Sequence, residues 1–413
     1  GGYTQQDYYV QRVTAAGAIA WTANGVPVVA ATGAATQLCM TTAGGYVFFA
    51  WSDNRNAVAT GQDLYAQCIQ ISNGAIQMAA NGAVVCNAAN DQTYPDVAQD
   101  EYGAARIVWN DNRTGVLDVY AQNVNTNGTV SWALNGLAVC TATGPQYYPL
   151  IRYTGNSKCY VAWTDQRTGD YDVYAQLIDA YGGNASWTLN GITVGSGTGM
   201  QFLEDVAVDV NGGLMLSWAD GRRGVNVQDI YVQKVDLTGA SQWTANGVPV
   251  RFLAGTATNS VIVALPTGGA CVAWADQRSD IGDVFVQRVS SAGVAQWTAN
   301  GVALGAGTMQ QGFPQMSANP EGGVFCAWAD YRTGGTGARV QLVDEWGMTG
   351  ANPILAGVKD VPNDQGGQVR VAWLPSALDN VPSNTISTYF VFRQVPVFAA
   401  QRALLAGARL LAG

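Results

Sequence analysis

The residues whose types and spacing could do chemistry form a repeated Asp-x-Arg pair. Each Asp follows a tryptophan by two residues and each Arg by four, in the pattern W-x-D-x-R. An acid beside a base could act in catalysis, but an Asp just after a strand also caps a turn by accepting backbone N–H bonds, and the Arg can bridge to the acid that opens the next strand. Because the pair recurs in every unit, we interpret it as structural. The members are Trp51, Asp53 and Arg55; Trp109, Asp111 and Arg113; Trp163, Asp165 and Arg167; Trp218, Asp220 and Arg222; Trp274, Asp276 and Arg278; and Trp328, Asp330 and Arg332.

Other chemistry is limited by what the chain lacks. It has no histidine, so a Ser-His-Asp triad, a Cys-His dyad and a His-ligated metal site are ruled out. Seven scattered cysteines without a C-x-x-C pair argue against a zinc site and a disulfide framework. Loops such as DQRTGDYD (165–172) could hold calcium through oxygen ligands, although they do not match the EF-hand spacing. We therefore assign no catalytic residue, no metal site and no cofactor, with calcium as a weak alternative.

Charge and hydropathy exclude two classes of partner. The chain has 413 residues, 12% of them charged, a net charge of -9 and a pI near 4.5. Binding to a phosphate backbone needs a basic patch, so nucleic acid is not an expected partner. No apolar stretch reaches the ~18 residues of a membrane span, and the first ten residues do not form a signal peptide. The low charged fraction is typical of an extracellular β-protein.

The motif belongs to a repeat of about 55 residues. Within one unit an apolar run is followed by a run ending in Trp, the Asp-x-Arg loop, a D-V-Y-A-Q strand and a W-x-x-N-G-x-x-V strand. Alternating apolar residues bounded by Gly, Asn and Asp indicate strands rather than helices. Four strands per unit, repeated six or seven times, predict a β-propeller of four-stranded blades, with a parallel β-helix as the main competitor. The D-V-Y-A-Q strands begin at Asp7, Asp63, Asp118, Asp172, Asp229 and Asp283.

The repeat also predicts the domain organisation. The first piece, residues 7–30, holds only the last two strands of a unit, so we favour seven blades with an incomplete first one and keep six as the alternative. We assign residues 1–356 to the propeller. Residues 357–396 resemble the opening strands of a fibronectin type III or immunoglobulin-like sandwich, but are too short for a whole domain. The Ala-, Leu- and Arg-rich tail 397–413 is expected to form a short helix or to be non-native sequence.

Taken together, the repeats and the DVPNDQGG segment resemble a family of secreted bacterial repeat proteins. In that family a propeller precedes fibronectin- or FlgD-like immunoglobulin modules. The resemblance covers about residues 7–396 and rests on W-x-D-x-R, D-[VIL]-[YF]-[AV]-Q and W-x-x-N-G-x-x-V. It implies a secreted or cell-surface location and supplies no catalytic residues that could be transferred to this chain.

A binding face can be predicted by counting connections. In a blade of four antiparallel strands, the loop after the second strand and the loop leading to the next blade lie on the same side. The Asp-x-Arg loops should then lie beside the segments QTYP, QYYP and QGFP, and exposed Tyr and Arg are typical of binding sites. The alternative is that the aromatic residues close the space between blades. The candidate binding residues are Tyr94, Tyr148, Phe313, Arg113, Arg167 and Arg332.

Two functions from different classes follow. The first is a non-enzymatic extracellular or cell-surface propeller for binding, adhesion or scaffolding, with a glycan or protein as partner. The second is a carbohydrate-active enzyme, most simply a glycosidase, that uses carboxylates in the central channel. A pair of acids at positions where other repeats are neutral would favour the enzyme, whereas an evenly repeated face favours the platform. The sequence favours the platform, so we predict a protein that is not an enzyme.

Overall fold

Alternating β-branched and aromatic residues form strands throughout the described chain, as the sequence predicts. The computed structural model describes residues 5–347 apart from 101, 225, 279–281, 306–308, 321–322 and 332–336, together with 349, 354–360 and 369–374. The structure is all-β within these residues. Antiparallel sheets follow one another along the chain and form a β-propeller.

The described residues show seven consecutive blades. The first has two strands, as expected for an incomplete blade, the next five have four each, and the seventh has three. The strands are, in blade 1, β2 Tyr8–Val10 and β3 Val26–Val29; in blade 2, β4 Gly33–Ala43, β5 Tyr46–Asp53, β6 Asp63–Gln70 and β7 Ala83–Cys86; in blade 3, β8 Gln92–Gln99, β9 Ala105–Asp111, β10 Asp118–Val124 and β11 Leu137–Cys140; in blade 4, β12 Gln146–Tyr153, β13 Lys158–Asp165, β14 Asp172–Asp179 and β15 Ile192–Gly195; in blade 5, β16 Gln201–Val208, β17 Leu214–Asp220, β18 Asp229–Val235 and β19 Val248–Arg251; in blade 6, β20 Ala257–Ala264, β21 Ala270–Asp276, β22 Asp283–Val289 and β23 Val302–Gly305; and in blade 7, β24 Gln311–Ala318, β25 Val324–Asp330 and β26 Gly337–Val343. A short strand β1, Gln5–Gln6, pairs in parallel with β4.

The first strands of blades 2 to 7, here called the inner strands, pack against one another from blade to blade. They are β4, β8, β12, β16, β20 and β24, and they line the axis of the propeller. Each inner strand has a bulge, where two of its residues face one residue of the second strand. The inner strands are therefore the elements that place side chains in the channel.

The W-x-D-x-R motif builds the same contacts in five blades, shown here by blade 3. The Trp109 indole N–H donates to Asp111 Oδ2 at 2.7 Å, and Asp111 Oδ1 accepts from the backbone N–H of Arg113 at 3.0 Å. The Arg113 guanidinium donates to Asp111 Oδ2 and to the carbonyl oxygen of Asn135, and it lies 3.8 Å from the ring centre of Tyr120. The arginine thus pairs with its own Asp and joins the third strand to the Asn-Gly turn. The expected bridge to the acid that opens the next strand is absent from these five copies.

The Asn-Gly turn explains why glycine is required beside the motif tryptophan. Asn135 and Gly136 both have positive φ, at 62° and 87°, which glycine and Asn tolerate best. A Cβ on Gly136 would lie 2.4 Å from the indole of Trp109. The Asn135 side chain accepts from the backbone N–H of Asn87 in the preceding blade at 3.1 Å. One turn therefore packs the core of its own blade and fastens the neighbouring blade.

A second compact unit begins after Gly347. Clustering of contacts separates residues 1–347 from 348–413, and the predicted boundary at residue 356 falls within strand β27. The described part of this unit is the antiparallel pair β27 Ile354–Asp360 and β28 Val369–Leu374. The tail 397–413 lies outside the described residues. In the described chain there is no helix long and apolar enough to span a membrane.

The cysteines occupy core positions. All seven are free thiols, and six are buried. Burial raises the pKa of Cys68, Cys159 and Cys271 to about 12, which keeps these thiols protonated and unreactive at neutral pH.

Candidate active site on the inner strands

The inner strands carry acids that the repeat does not explain. At the residue after the bulge, blade 3 has Asp96 and blade 5 has Asp205. Within its bulge, blade 5 also has Glu204. The other inner strands have neutral residues after the bulge, namely Cys39, Leu150, Val261 and Gln315. The two Asp residues therefore meet the condition that distinguishes an enzymatic channel from an evenly repeated one.

Arg152 joins the two Asp residues across three blades. Its Nη1 donates to Asp96 Oδ2 at 2.8 Å and its Nη2 donates to Asp205 Oδ1 at 3.2 Å. It also donates from Nε to the carbonyl oxygen of Val206 and from Nη1 to that of Ile151. One guanidinium between two carboxylates keeps their separation short.

The two Asp carboxylates differ in how many of their oxygens accept hydrogen bonds. Asp205 accepts from the backbone N–H groups of Val206 and Ile262 as well as from Arg152, so both of its oxygens are engaged. Burial raises the pKa of Asp205 above its ordinary value. Asp96 accepts from Arg152 and from the Ile151 N–H, both through Oδ2. Among the described residues no donor reaches Asp96 Oδ1, which leaves that oxygen for water or substrate.

Glu204 is the group best suited to hold a proton. Burial raises its pKa to about 7, although hydrogen bonds from its neighbours act in the opposite direction. Its two oxygens accept from the backbone N–H groups of Asn259 and Ser260 in the next blade, at 2.7 and 2.6 Å. A carboxyl with a pKa near 7 can act as a general acid at neutral pH.

Three cavities adjoin these acids. Asp96 lines one of about 200 Å³ with Gln37, Tyr94 and Tyr148, and another of about 340 Å³ with Arg152. Glu204 lines a third, of about 330 Å³, on blades 5 to 7. Asp96 and Glu204 therefore lie where a ligand in these cavities could reach them, whereas Asp205 lines none of the three.

The structure brings two of the predicted aromatic binding residues together at the first of these cavities. Tyr94 and Tyr148 meet edge to face, with ring centres 4.5 Å apart, and Tyr148 also contacts Phe202 of the next blade. The rings touch across blades and yet remain 43% and 36% exposed, so their role in binding stays a prediction. Phe313 lies apart from them, 57% exposed, on the cavity that contains Glu204.

Two of the predicted binding arginines are already engaged by groups of their own blade and of the preceding one. Arg113 and Arg167 each donate to the motif Asp, to an Asn-Gly turn and toward a cysteine sulfur, and each lies over a Tyr ring. Arg332 lies outside the described residues. Any ligand contact by these arginines stays a prediction. In the described part of the chain no group of three or more Asp, Glu or Cys side chains is arranged to hold a metal ion.

Sequence reasoning missed the channel acids because it interpreted their segments only as strands. Asp96 lies in the run PDVAQD, and Glu204 and Asp205 lie in QFLEDV. Alignment of the six inner strands on the motif Trp would have shown acids in two strands and neutral residues elsewhere. Such an alignment would not predict the contacts of Arg152, because 56 residues separate it from Asp96 and 53 from Asp205.

The fold is similar to that of several solved propellers. An ulvan lyase, described as a new family of polysaccharide lyase, is 10% identical over 76% of this chain and 79% of its own, with a TM-score of 0.48. A Penicillium chrysogenum α-L-arabinanase complexed with arabinobiose is 11% identical over 75% and 93%, with a TM-score of 0.46. A Dyadobacter fermentans protein of unknown function is 11% identical over 75% and 94%, with a TM-score of 0.43. No protein-family model matches the chain, and neither does any curated protein.

These comparisons correct the predicted function. The sequence predicts a non-enzymatic binding, adhesion or scaffold propeller. The similar structures are mostly carbohydrate-active enzymes: arabinanases, an arabinofuranosidase, a family-43 glycoside hydrolase and polysaccharide lyases. The platform prediction is therefore wrong, and its alternative, a carbohydrate-active enzyme with channel carboxylates, is better supported. The blades themselves show the propeller fold, and any activity of this chain has to be argued from its own residues.

Proposed function

We propose that this propeller is a carbohydrate-active enzyme that hydrolyses a glycan in its channel. The observation that carries the proposal is the set Asp96, Glu204 and Asp205 on the inner strands. All three acids depart from the repeat. Asp96 and Glu204 line open cavities, and a single arginine joins Asp96 to Asp205. A purely structural channel would need none of these departures, since the remaining inner strands form the same bulge without an acid after it.

In the proposed mechanism Glu204 is the general acid and Asp96 is the general base. Protonated Glu204 gives its proton to the glycosidic oxygen as the bond from that oxygen to the anomeric carbon breaks. A water molecule attacks the anomeric carbon and loses a proton to Asp96 Oδ1. The sum is addition of one water across one glycosidic bond, with inversion at the anomeric carbon.

Arg152 and Asp205 are positioning residues in this proposal. Arg152 fixes the orientation of the Asp96 carboxylate through Oδ2, and Asp205 holds the opposite side of the guanidinium. Because Arg152 and the Ile151 N–H hold Oδ2, they also fix the orientation of Asp96 Oδ1. Rigid support of this kind is what a reacting carboxylate requires.

The place of action and the partners follow as part of the proposal. The substrate is a glycan, and the family resemblance together with the low charge content supports a secreted or cell-surface location. The resemblance of 357–396 to a fibronectin or immunoglobulin-like module supports a second domain that carries the propeller at a surface.

The test is release of reducing ends from a panel of neutral and acidic polysaccharides by the purified chain. We expect the wild type to release sugar from at least one of them. Glu204→Gln should reduce the rate by about 100-fold or more, because general acid catalysis contributes 10²–10⁴-fold. Glu345→Gln is the matched control, since Glu345 lies in the turn after β26, and it should leave the rate unchanged.

Two outcomes would contradict the proposal. One is a wild-type protein that releases sugar from none of the substrates. The other is a Glu204→Gln variant as active as the wild type. The unfolding midpoint of each variant should be measured alongside, so that a lost fold is not scored as lost chemistry.

A further inference from the structure

The aromatic residues at the channel mouth have an unusual backbone conformation. Tyr94, Tyr148 and Phe313 have φ values of 51°, 50° and 53°, in the left-handed region that bulky residues avoid. They occupy the same bulge position in blades 3, 4 and 7. The equivalent residues Gln37 and Asn259 have φ values of 56°. Non-glycine residues held in this region concentrate at functional sites.

The bulge itself does not require an aromatic residue. Asn259 forms the same bulge in blade 6 with a side chain that tolerates positive φ well. Three aromatic rings therefore stand where the backbone would be more stable with Asn or Gly. Their exposed faces are not explained by core packing, since each ring keeps more than a third of its surface accessible.

The charges around the channel exclude one class of ligand. The charged residues that line the three cavities are Asp96, Glu204 and Arg152. Arg152 already donates four hydrogen bonds within the protein, so it does not offer a free cation to a carboxylate or a sulfate. With Glu204 protonated, as the proposed mechanism requires, the charges of Asp96 and Asp205 outnumber the single positive charge of Arg152. The local charge is therefore negative, and so is the net charge of -9 on the whole chain. Such a site repels anions.

We infer that the substrate is a neutral glycan, bound with sugar rings stacked on the exposed faces of Tyr94 and Tyr148. This inference rests on the proposed function and specifies the substrate class for the same site. Flat aromatic faces suit the apolar C–H face of a sugar, and the cavity beside them leads to Asp96. Phe313 provides a similar surface in the cavity that Glu204 lines.

The inference can be tested by binding without cleavage. Neutral oligosaccharides and uronate-containing oligosaccharides of equal length are titrated into full-length Glu204→Gln by calorimetry at low and high salt. We expect the neutral series to bind with little dependence on salt and the acidic series to bind at least tenfold more weakly. Tyr94→Asn or Tyr148→Asn in the same background should weaken neutral binding about tenfold. Neither should lower the unfolding midpoint much, because Asn suits the left-handed conformation.

The control variant is Tyr102→Asn, which changes a 75% exposed tyrosine in the turn between β8 and β9 and should leave binding unchanged. Preference for the acidic series would overturn the inference while leaving hydrolysis in place, if the wild type cleaves those glycans. Unchanged binding by both Asn variants would also overturn it, as would failure of the neutral series to bind at millimolar concentration. Binding of the neutral series without any cleavage by the wild type would instead remove the proposed hydrolysis.

Discussion

The W-x-D-x-R loops and the inner strands lie in the same blades but differ in how strictly they repeat. In five blades the loop makes the same contacts: an indole N–H to the Asp, the Arg to that Asp, and the Arg to an Asn-Gly turn. The inner strands keep one bulge but vary its side chains from blade to blade. In this propeller, repetition therefore identifies the residues that build the blade, and departures from repetition identify candidates for chemistry.

The charge pairs in the two regions show the same contrast. Asp111 is fully buried and pairs with an Arg two residues away, which makes the contact local and available to every blade. Asp96 pairs with Arg152 from the next blade and shares it with Asp205 from the blade after that. A pairing that needs residues from three different blades cannot arise from one repeated motif. It is therefore not explained by the packing that builds each blade.

The largest expected effect comes from changing one Asp in each region. Asp96→Asn should reduce glycan cleavage by about 100-fold or more, because it removes the proposed base. Its unfolding free energy should change little, since Asn can still accept from the Ile151 N–H. Asp111→Asn should instead lower the free energy of unfolding by about 3 kcal/mol, because Asn keeps only one of the two acceptor oxygens and leaves the Arg113 guanidinium without a negative partner.

The measurements are the rate per folded molecule and the denaturant midpoint of each variant. Asp111→Asn should keep the wild-type rate once its folded fraction is taken into account. If Asp96→Asn proved to be the less stable variant and Asp111→Asn the less active one, the division between building residues and chemical residues would be wrong.

The sequence predicts the repeated W-x-D-x-R loops better than the variable side chains of the inner strands. The spacing of Trp51, Trp109 and Trp163 predicts the blades and the incomplete first one because repeated packing leaves a repeated pattern. It does not predict Asp96 as a partner of Arg152, because strand pairing within a blade says nothing about contacts between blades. The direction of the arginine side chains was also missed, since the positive-φ Asn-Gly turn supplies a carbonyl that sequence spacing does not reveal. The fibronectin-like module and the surface location stay predictions.

The second effect is a pH dependence specific to the inner strands. Because burial raises the pKa of Glu204 to about 7 from its ordinary 4.5, the acid keeps its proton in the folded protein up to neutral pH. Cleavage should fall about tenfold for each pH unit above 7 as that proton is lost. The stability of the fold should also fall as the pH rises. The contribution from the raised pKa of Glu204 is fully present below pH 4.5 and is lost as the pH rises through 7.

Two profiles check this prediction. The rate of the wild type is measured from pH 5 to pH 9, and the unfolding midpoints of wild type and Glu204→Gln are compared at pH 4.5 and pH 8. The wild type should lose stability relative to the Gln variant on going to the higher pH. A rate that stays constant from pH 6 to pH 9 would exclude Glu204 as the acid.

The smallest expected effect tests the repeated region at a position where one blade departs from the repeat. The tryptophans that open the W-x-x-N-G-x-x-V motif join neighbouring blades: the indole N–H of Trp132 donates to the carbonyl oxygen of Tyr181, and that of Trp187 to the carbonyl oxygen of Leu237. Met78 occupies this position in blade 2, is buried, and packs near Gly128 of the next blade. It fills the space but has no donor for the bond between blades.

Met78→Trp should therefore raise the free energy of unfolding by about 1 kcal/mol, the usual net value of one hydrogen bond, and leave glycan cleavage unchanged. Trp132→Met, the reverse change in blade 3, is the matched variant and should lower stability by a similar or larger amount. Denaturant unfolding of both variants measures the two effects. Stabilisation by the first together with destabilisation by the second would show that tryptophan at this position stabilises by joining blades. Destabilisation by both would mean that each blade has adapted its core to its own side chain, and that even the repeated region is less uniform than its motif.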